Sequence, residues 1–303
     1  MAVPSSLATQ THKELSVSNC QEQESPRVTF GGKGRRKGRF DGLRGVTVSD
    51  KGEIFVADSG NQRIQVFTLK GRFVRQFPTV VSFEQEMYPL DVATDKEGNL
   101  WVVGETRPAD FAVQYSRRGR VLRKIDLRYT GDRSSGGVAV DTRRNHILVT
   151  QTIRDWKTHG EVQVLRPDGT CVRTVGRFQG MKDPQYITVD RRGNIIVSDV
   201  CTHSVYVYKK DGQFLLKFGD ESLLKHYIYG ICTDRSGNII VAVSPQDASS
   251  GRVDMFDKTG RFVRHITTDM RLPWTVAMAT QGQLVVTDYD RNTVSIFTTT
   301  EPE

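Results

Sequence analysis

The sequence predicts an all-β fold, a six-bladed β-propeller with four strands in each blade. Three observations support this prediction: a unit of short alternating strands repeats six times, its period lies in the forties, and the last repeat lacks a fourth strand. Four strands per repeat at this period are typical of propeller blades. No stretch shows the 3.6-residue periodicity of a long amphipathic helix.

The repeat is clearest between residues 43 and 77. This segment contains two apolar strands joined by an Asp-x-Gly turn, a polar loop, and two further strands joined by an x-x-Gly turn. Alternation such as Val46-x-Val48 is the period of half-buried strands. The position of Asp50 recurs as Asp95, Asp141, Asp190, Asp234 and Thr280, at spacings of 45, 46, 49, 44 and 46 residues. Because Asp accepts turn N–H bonds, we expect the repeated aspartates to serve the scaffold.

The repeats divide the chain into three parts. Residues 1–26 are polar, lack periodicity and have no apolar signal segment, so we expect a disordered leader or linker. Residues 27–298 are assigned to the propeller and residues 299–303 to a tail. The predicted blades are 43–77, 88–125, 136–176, 184–219, 228–266 and 272–297, the last completed by 27–30.

The two ends of the propeller provide a separate test of the fold. The sixth repeat ends after a third strand at Thr293–Phe297. Ahead of the first repeat, Arg27–Phe30 is similar to the fourth strand Leu215–Phe218. We therefore expect the N-terminal strand to complete blade six, which would join the chain ends and remove an open sheet edge.

Charge and hydropathy narrow the class of partner. The formal net charge is +8, which favours an anionic partner, although solubility alone would also explain it. No run of about 18 apolar residues occurs, so we expect no membrane-spanning helix and no membrane partner.

A basic loop lies on one predicted face of the ring. Antiparallel strands alternate in direction, so the inter-blade loops and the loops between second and third strands share a face, here called the top face. Cations neutralise phosphates, and glycine lets N–H groups approach an anionic backbone. The alternative is a solvated basic loop without a ligand. The cations of this basic loop are Lys33, Arg35, Arg36, Lys37 and Arg39.

Aromatic residues occupy the start of the first strand in three successive blades. Tyr186, Tyr229 and Trp274 hold this position, and Arg44 holds it in blade one. Aromatic faces beside cations form the platform on which single-stranded bases stack, at about 1–3 kcal/mol per base. The alternative is that the rings cap the channel and pack between blades. Further candidates on the top loops are Arg63, His203 and Arg291.

The segment Val46–Phe67 resembles the NHL repeat, whose pattern runs GVAVD-x-x-GNIYVAD-x-x-NHRIQVF. Asn61-Gln62-Arg63 stands at the Asn-His-Arg of that pattern, and the resemblance covers about residues 27–298. With its fourth-strand Phe-Gly, the chain is similar to the C-terminal NHL domain of TRIM-NHL proteins. The resemblance implies recognition of RNA or of a protein client by one propeller face. It also implies a ubiquitin ligase family, whose ligase activity belongs to a RING that these residues do not contain.

The sequence therefore favours a non-catalytic domain that binds single-stranded or stem-loop RNA in post-transcriptional regulation. Recruitment of protein clients to a ubiquitin ligase remains the alternative. We expect no cofactor and no metal site, since the six histidines do not recur at one blade position and no nucleophile elbow or P-loop occurs. We also expect a cytoplasmic protein whose isolated propeller is monomeric.

Overall fold

The computed structural model describes residues 28–82, 85–106, 109–127, 136–154, 158–219, 223, 226–247 and 249–298. The predicted leader at residues 1–26 and the predicted tail at residues 299–303 lie outside these described residues. Within them, strands dominate and the one helical element is a 3-10 turn at Ser59–Asn61. None of the described segments forms a helix that could span a membrane.

Six four-stranded antiparallel sheets form the six predicted blades. In chain order, blade one contains β2 (Leu43–Val48), β3 (Glu53–Asp58), β4 (Arg63–Thr68) and β5 (Phe73–Pro78). Blade two contains β8 (Tyr88–Thr94), β9 (Leu100–Thr106), β10 (Ala109–Tyr115) and β11 (Val121–Leu127). Blade three contains β12 (Val138–Asp141), β13 (His146–Ile153), β14 (His159–Leu165) and β15 (Cys171–Val175).

The second half of the ring repeats this order. Blade four contains β16 (Pro184–Val189), β17 (Ile195–Asp199), β18 (Ser204–Tyr208) and β19 (Phe214–Phe218). Blade five contains β20 (His226–Thr233), β21 (Ile239–Pro245), β22 (Gly251–Phe256) and β23 (Phe262–Met270). Blade six contains β24 (Pro273–Met278), β25 (Gln283–Asp288), β26 (Thr293–Thr298) and β1 (Val28–Gly31).

The innermost strand of each blade contacts the innermost strands of its two neighbours. The contact between β24 and β2 closes the ring. Apolar side chains on facing blades pack into six buried clusters, one for each pair of neighbouring blades. The alternation read from the sequence thus buries both faces of every sheet against the next blade.

The N-terminal strand completes blade six as predicted. Strand β1 pairs antiparallel with β26, with Val28 opposite Ile296 and Phe30 opposite Val294. The Phe30 ring lies 4.6 Å from that of Phe67, between centroids, so the closing strand also packs on blade one. Gly31 is needed at this junction because a Cβ there would approach the Asn292 carbonyl oxygen to 2.7 Å at a φ of +113°.

The repeated aspartates serve the first turn of the blades, with one correction. Asp95 accepts N–H bonds from Glu97 and Asn99, and Asp190 accepts them from Arg192 and Asn194. In blade one, the same turn position belongs to Ser49, whose hydroxyl accepts the Glu53 N–H.

The prediction that placed Asp50 and Thr280 in this series was wrong by one residue. Backbone turn bonds place Ser49 and Ala279 where the other blades have Asp. Ser and Asp both accept turn N–H bonds, so adjacent Ser49 and Asp50 left the alignment of blade one ambiguous. Asp50 itself is exposed.

The sequence did not predict the short hairpin between blades one and two. It consists of β6 (Val80–Ser82) and β7 (Gln85–Glu86). Met87, directly after β7, is fully buried between the two blades. The hairpin therefore contributes to the buried interface between blades one and two through Val81 and the adjoining Met87.

Candidate functional site

A cavity of about 350 Å³ opens at the centre of the top face. Inter-blade loops and loops between second and third strands line it, as the predicted strand order requires. The residues at the start of the first strands of blades one to four line it, whereas Tyr229 and Trp274 do not. Its lining includes Arg44, Tyr88, Leu90, Gln185, Tyr186 and Tyr289.

Four aromatic rings form a continuous stack beside this cavity. Their centroids lie 6.0 Å apart for Tyr227 and Tyr229, 4.0 Å for Tyr229 and Trp274, and 4.8 Å for Trp274 and Tyr289. The guanidinium of Arg44 lies 5.2 Å from the Trp274 centroid and 5.7 Å from that of Tyr289. We call these five side chains the aromatic arc. Within it, each cation–π contact contributes about 0.5–1 kcal/mol at an exposed site.

The rings of the arc stack on one another rather than standing apart. Trp274 has Tyr229 nearly parallel to it at 24°, so a base cannot slide between these two rings without separating them. Burial raises the pKa of Tyr229 to about 12, so its hydroxyl stays neutral at physiological pH. A ligand at the arc therefore meets ring edges, the outer Tyr227 ring and the guanidinium of Arg44.

Tyr186 does not belong to the exposed platform that the sequence predicted. Its side chain is only 6% exposed and packs in the core between blades four and five. Burial raises the pKa of Tyr186 well above that of an ordinary tyrosine. The ring thus forms the wall of the channel, which was the alternative for this residue.

The basic loop is folded on itself, and its glycines are not free for a ligand. The N–H groups of Gly32, Gly34 and Gly38 donate to the Asn292 carbonyl, the Phe40 carbonyl and the Gln65 side chain. The idea that these N–H groups approach an anionic backbone is therefore wrong, since each is already bonded. The five cations remain exposed, and none forms an ion pair within the part of the chain that the structure describes.

Arg63 holds this loop from below instead of contacting solvent. Its Nε donates to the fully buried carboxylate of Asp58 at 2.7 Å, and its side chain is 10% exposed. The same guanidinium donates to the carbonyl oxygens of Arg36 and Arg39. Arg63 is thus a positioning residue, and its side chain is too buried for the ligand contact that the sequence predicted.

His203 and Arg291 lie at the ends of the arc. His203 Nδ1 bonds the His226 carbonyl oxygen at 2.6 Å, and its ring centroid is 6.1 Å from that of Tyr227. Arg291 is exposed and lies 3.9 Å from a carboxylate oxygen of Asp269, a distance at which the ion pair is weak. Both remain accessible on the top face.

Three tyrosines near the cavity were missed in the sequence. Tyr227 and Tyr88 are 36% and 39% exposed, and Tyr289 closes the stack against Arg44. Tyr227 and Tyr88 each precede the start-of-strand position, at Tyr229 and Leu90, by two residues. Residues two apart on a strand point to the same side, so a search at that offset could have found them.

Blade two presents the opposite charge on the same face. Glu105 lies directly across the sheet from Asp110, and it also lines the cavity. Burial, with the charge of Glu105 added, raises the pKa of Asp110 to about 6. The rim of the cavity at blade two therefore carries carboxylates, whereas the basic loop before blade one carries cations. Among the described residues, no group of three or more His, Cys, Asp or Glu side chains could hold a metal ion.

The arrangement agrees with the similarity of this chain to known proteins. The family model of the NHL repeat matches residues 40–67 and 270–297. Protein brain tumor of Drosophila melanogaster is 28% identical over 63% of this chain, and the E3 ubiquitin-protein ligase TRIM32 of Homo sapiens is 26% identical over 88%. The matches span 14% and 43% of those two proteins, less than half of either.

A solved structure shares the architecture alone. The luciferin-regenerating enzyme superposes with a TM-score of 0.64, covering 90% of this chain and 94% of that one at 10% identity. At such low identity, the superposition supports the fold alone and carries no information about function. The ring of six blades, its closure and the two matched repeats together identify a six-bladed β-propeller that carries NHL repeats and is similar to parts of protein brain tumor and TRIM32.

Proposed function

We propose that this propeller is a non-catalytic binding domain and that its top face binds single-stranded RNA, including the loop of a stem-loop. The observation that carries this proposal is the exposed, unpaired basic loop beside the aromatic arc. The two features are joined through Asp41 and Gly42, which connect the loop to Arg44 at the cavity. Phosphates would contact the loop cations while bases meet the arc.

The charges on this face favour one path for the RNA backbone. Carboxylates at Glu105 and Asp110 repel phosphates from blade two, whereas the loop cations attract them to blades six and one. We therefore propose a path from Tyr227 along the arc to Arg44 and the basic loop. Arg291 lies on the same side of the ring and extends the positive rim.

Binding rather than catalysis agrees with the roles of the acidic residues. Asp58, Asp199 and Asp288 end the second strands, and their carboxylates accept backbone N–H bonds from neighbouring loops. Engaged in this way, they hold the top loops in place. In the cytoplasm, a propeller of this kind would act in post-transcriptional regulation.

A direct test uses fluorescence anisotropy with a labelled random-sequence RNA pool, followed by selection of the bound sequences. We expect the logarithm of the association constant to fall linearly with the logarithm of the salt concentration, with a slope of about −0.7 for each phosphate contact. Combining Arg35→Glu, Arg36→Glu and Lys37→Glu should abolish binding, and Arg44→Gln should weaken it. The charge-matched control combines Lys70→Glu, Arg72→Glu and Arg118→Glu, at three exposed cations on the opposite face.

Two results would refute RNA binding at this face. One is an equal loss of affinity in the triple variant of the opposite face and in the triple loop variant, which would mean that net charge alone attracts RNA. The other is binding that selects no sequence or shape at physiological salt. Because Trp274→Ala removes a packed ring, Arg44→Gln is the preferred arc variant.

A second candidate function is the recruitment of a protein client to a ubiquitin ligase. The exposed Tyr88 beside Glu105 favours it, because an exposed aromatic ring in a mixed-charge setting is typical of protein interfaces. The similarity to TRIM32 over most of the chain points the same way. Loss of a captured protein in Tyr88→Ala, with RNA affinity unchanged, would identify this function.

A further inference from the structure

One position of the fourth strand carries arginine in four blades, leucine in blade four and valine in blade six. In blades one to five, it pairs with the third-strand residue just before a β-bulge. The residues at this position are Arg75, Arg123, Arg173, Leu216 and Arg264 from blade one to blade five, and Val28 in blade six. Blade four thus has an apolar side chain where its two neighbours in the ring have arginine.

Two of these arginines donate hydrogen bonds to the neighbouring blade on the bottom face. Arg75 donates through Nε and Nη2 to the carbonyl oxygen of Arg117 in blade two, at 3.0 and 2.9 Å. Arg173 donates to the carbonyl oxygen of Lys210 in blade four. Arg117 and Lys210 hold the same place in their turns, and in blade five that place belongs to Lys258. Leu216 has no N–H donor with which to reach it.

A cleft of about 370 Å³ lies between blades four and five, where Leu216 stands in place of arginine. Its floor consists of buried Ile196, Val207 and Ile239, with Leu216 half-buried above them. A Cβ built on Gly237 at its edge would meet no atom within 4 Å. At the same turn position of blade four, a Cβ on Gly193 would lie 3.1 Å from the guanidinium of Arg144, a residue of the first turn of blade three. The edge of the cleft at Gly237 is therefore open.

Cations surround this apolar floor. None of them forms an ion pair with another described residue, and all are exposed. They are Arg191, Arg192, Arg235 and Lys258.

The two carboxylates that line the cleft, Asp190 and Asp234, offset part of the charge of its four cations. Asp190 accepts bonds from the backbone and side-chain N–H groups of Asn194, and Asp234 accepts the equivalent bonds from Asn238. Their oxygens are therefore turned into their own turns. The cleft presents positive charge around an apolar pocket.

We propose that the cleft between blades four and five docks an acidic peptide segment of a partner protein, with one large apolar side chain inserted. An apolar anchor in a desolvated pocket is the usual centre of a protein interface, and complementary charges at its rim guide the partner in. The site lies on the bottom face, opposite the proposed RNA surface. It therefore does not depend on RNA binding.

The test is selection from a random nonapeptide library displayed on phage, with Leu216→Arg as the counter-selection protein. We expect enriched peptides to carry one Leu, Ile, Phe or Trp flanked by Asp and Glu. A synthetic enriched peptide with a fluorescent label should bind wild type at least tenfold more tightly than Leu216→Arg, by anisotropy. Arg192→Glu with Arg235→Glu should weaken it as strongly, whereas Lys70→Glu should leave it within about twofold of wild type.

Leu216→Arg restores the residue of four other blades, so its thermal unfolding should match wild type. If it unfolds early, the Arg192→Glu and Arg235→Glu variant replaces it as the counter-selection protein. Absence of enrichment, or peptides that bind Leu216→Arg equally well, would overturn the proposal. So would loss of peptide binding in the Arg35→Glu, Arg36→Glu and Lys37→Glu variant, or displacement of the peptide by RNA, because either result places the peptide on the top face.

Discussion

Replacing Arg63 with alanine tests whether this cation positions the basic loop or contacts RNA. Its Nε lies 2.7 Å from the fully buried carboxylate of Asp58, and its guanidinium also donates to two loop carbonyls. Removing one partner of a buried ion pair costs about 3–5 kcal/mol. The Asp58 carboxylate keeps bonds from the Asp41 N–H and from Asn61 and Gln65, so we expect the lower end, about 3 kcal/mol.

The measurement is urea unfolding followed by tryptophan fluorescence and far-ultraviolet circular dichroism. Arg35→Ala is the matched control, because Arg35 is exposed in the same loop and its loss should change the unfolding free energy by at most about 0.5 kcal/mol. Trypsin should also cleave the loop of Arg63→Ala faster than that of wild type. An unfolding free energy within about 1 kcal/mol of wild type, together with weaker RNA binding, would refute the positioning role.

Two further predictions concern the closure of the ring and an inter-blade ion pair. The side-chain oxygens of Thr29 and Ser295 lie 2.9 Å apart across β1 and β26 and 266 residues apart in sequence. A disulfide from Thr29→Cys with Ser295→Cys should raise the unfolding free energy of the oxidised form by at most about 5–6 kcal/mol from chain entropy, and its urea midpoint should rise accordingly. Equal midpoints for the oxidised and reduced forms would contradict the closure. Burial raises the pKa of Glu53, but the charges and hydrogen bonds of Arg75 and Arg117 outweigh burial and hold this pKa below 4.5. The Glu53 carboxylate therefore stabilises the fold above that pH, and this contribution is lost as the pH falls. The stability advantage of wild type over Glu53→Gln should therefore shrink below about pH 4.5, and an advantage independent of pH would show that charge is not its source.

Much of the scaffold was predictable because each blade repeats the same physical requirement. Apolar residues at every second position must be covered by another sheet. Because the sixth unit lacks its fourth strand, pairing with the N-terminal strand is the simplest way to close the ring without an open sheet edge. Strand β1 pairs with β26 in that predicted way. The hairpin at Val80–Glu86 was not predictable, since it occurs in one linker and has no repeat to support it.

The site was less predictable because the side on which a residue lies depends on an alignment exact to one residue. Counted from the turn aspartates Asp190 and Asp234, Tyr229 aligns with Gln185, and Tyr186 stands one residue further along its strand, where it is buried in the interface. An offset of one residue moves a strand side chain to the opposite face of its sheet. The ion pair of Arg63 could have been predicted from the sequence. Arg63 lies directly opposite Asp58 in the β3–β4 hairpin, so the register of that hairpin alone suggests the pair.

Both proposed surfaces occur where the repeat is interrupted. A ring of identical blades would satisfy every interface with the same contacts and would present the same features six times. The basic loop follows the closing strand, at the one blade junction where the two ends of the chain meet. The open cleft lies where Leu216 replaces an arginine that in blades one and three donates to the next blade. Departures from the internal repeat therefore locate candidate binding surfaces in such a ring, and they do so independently on its two faces.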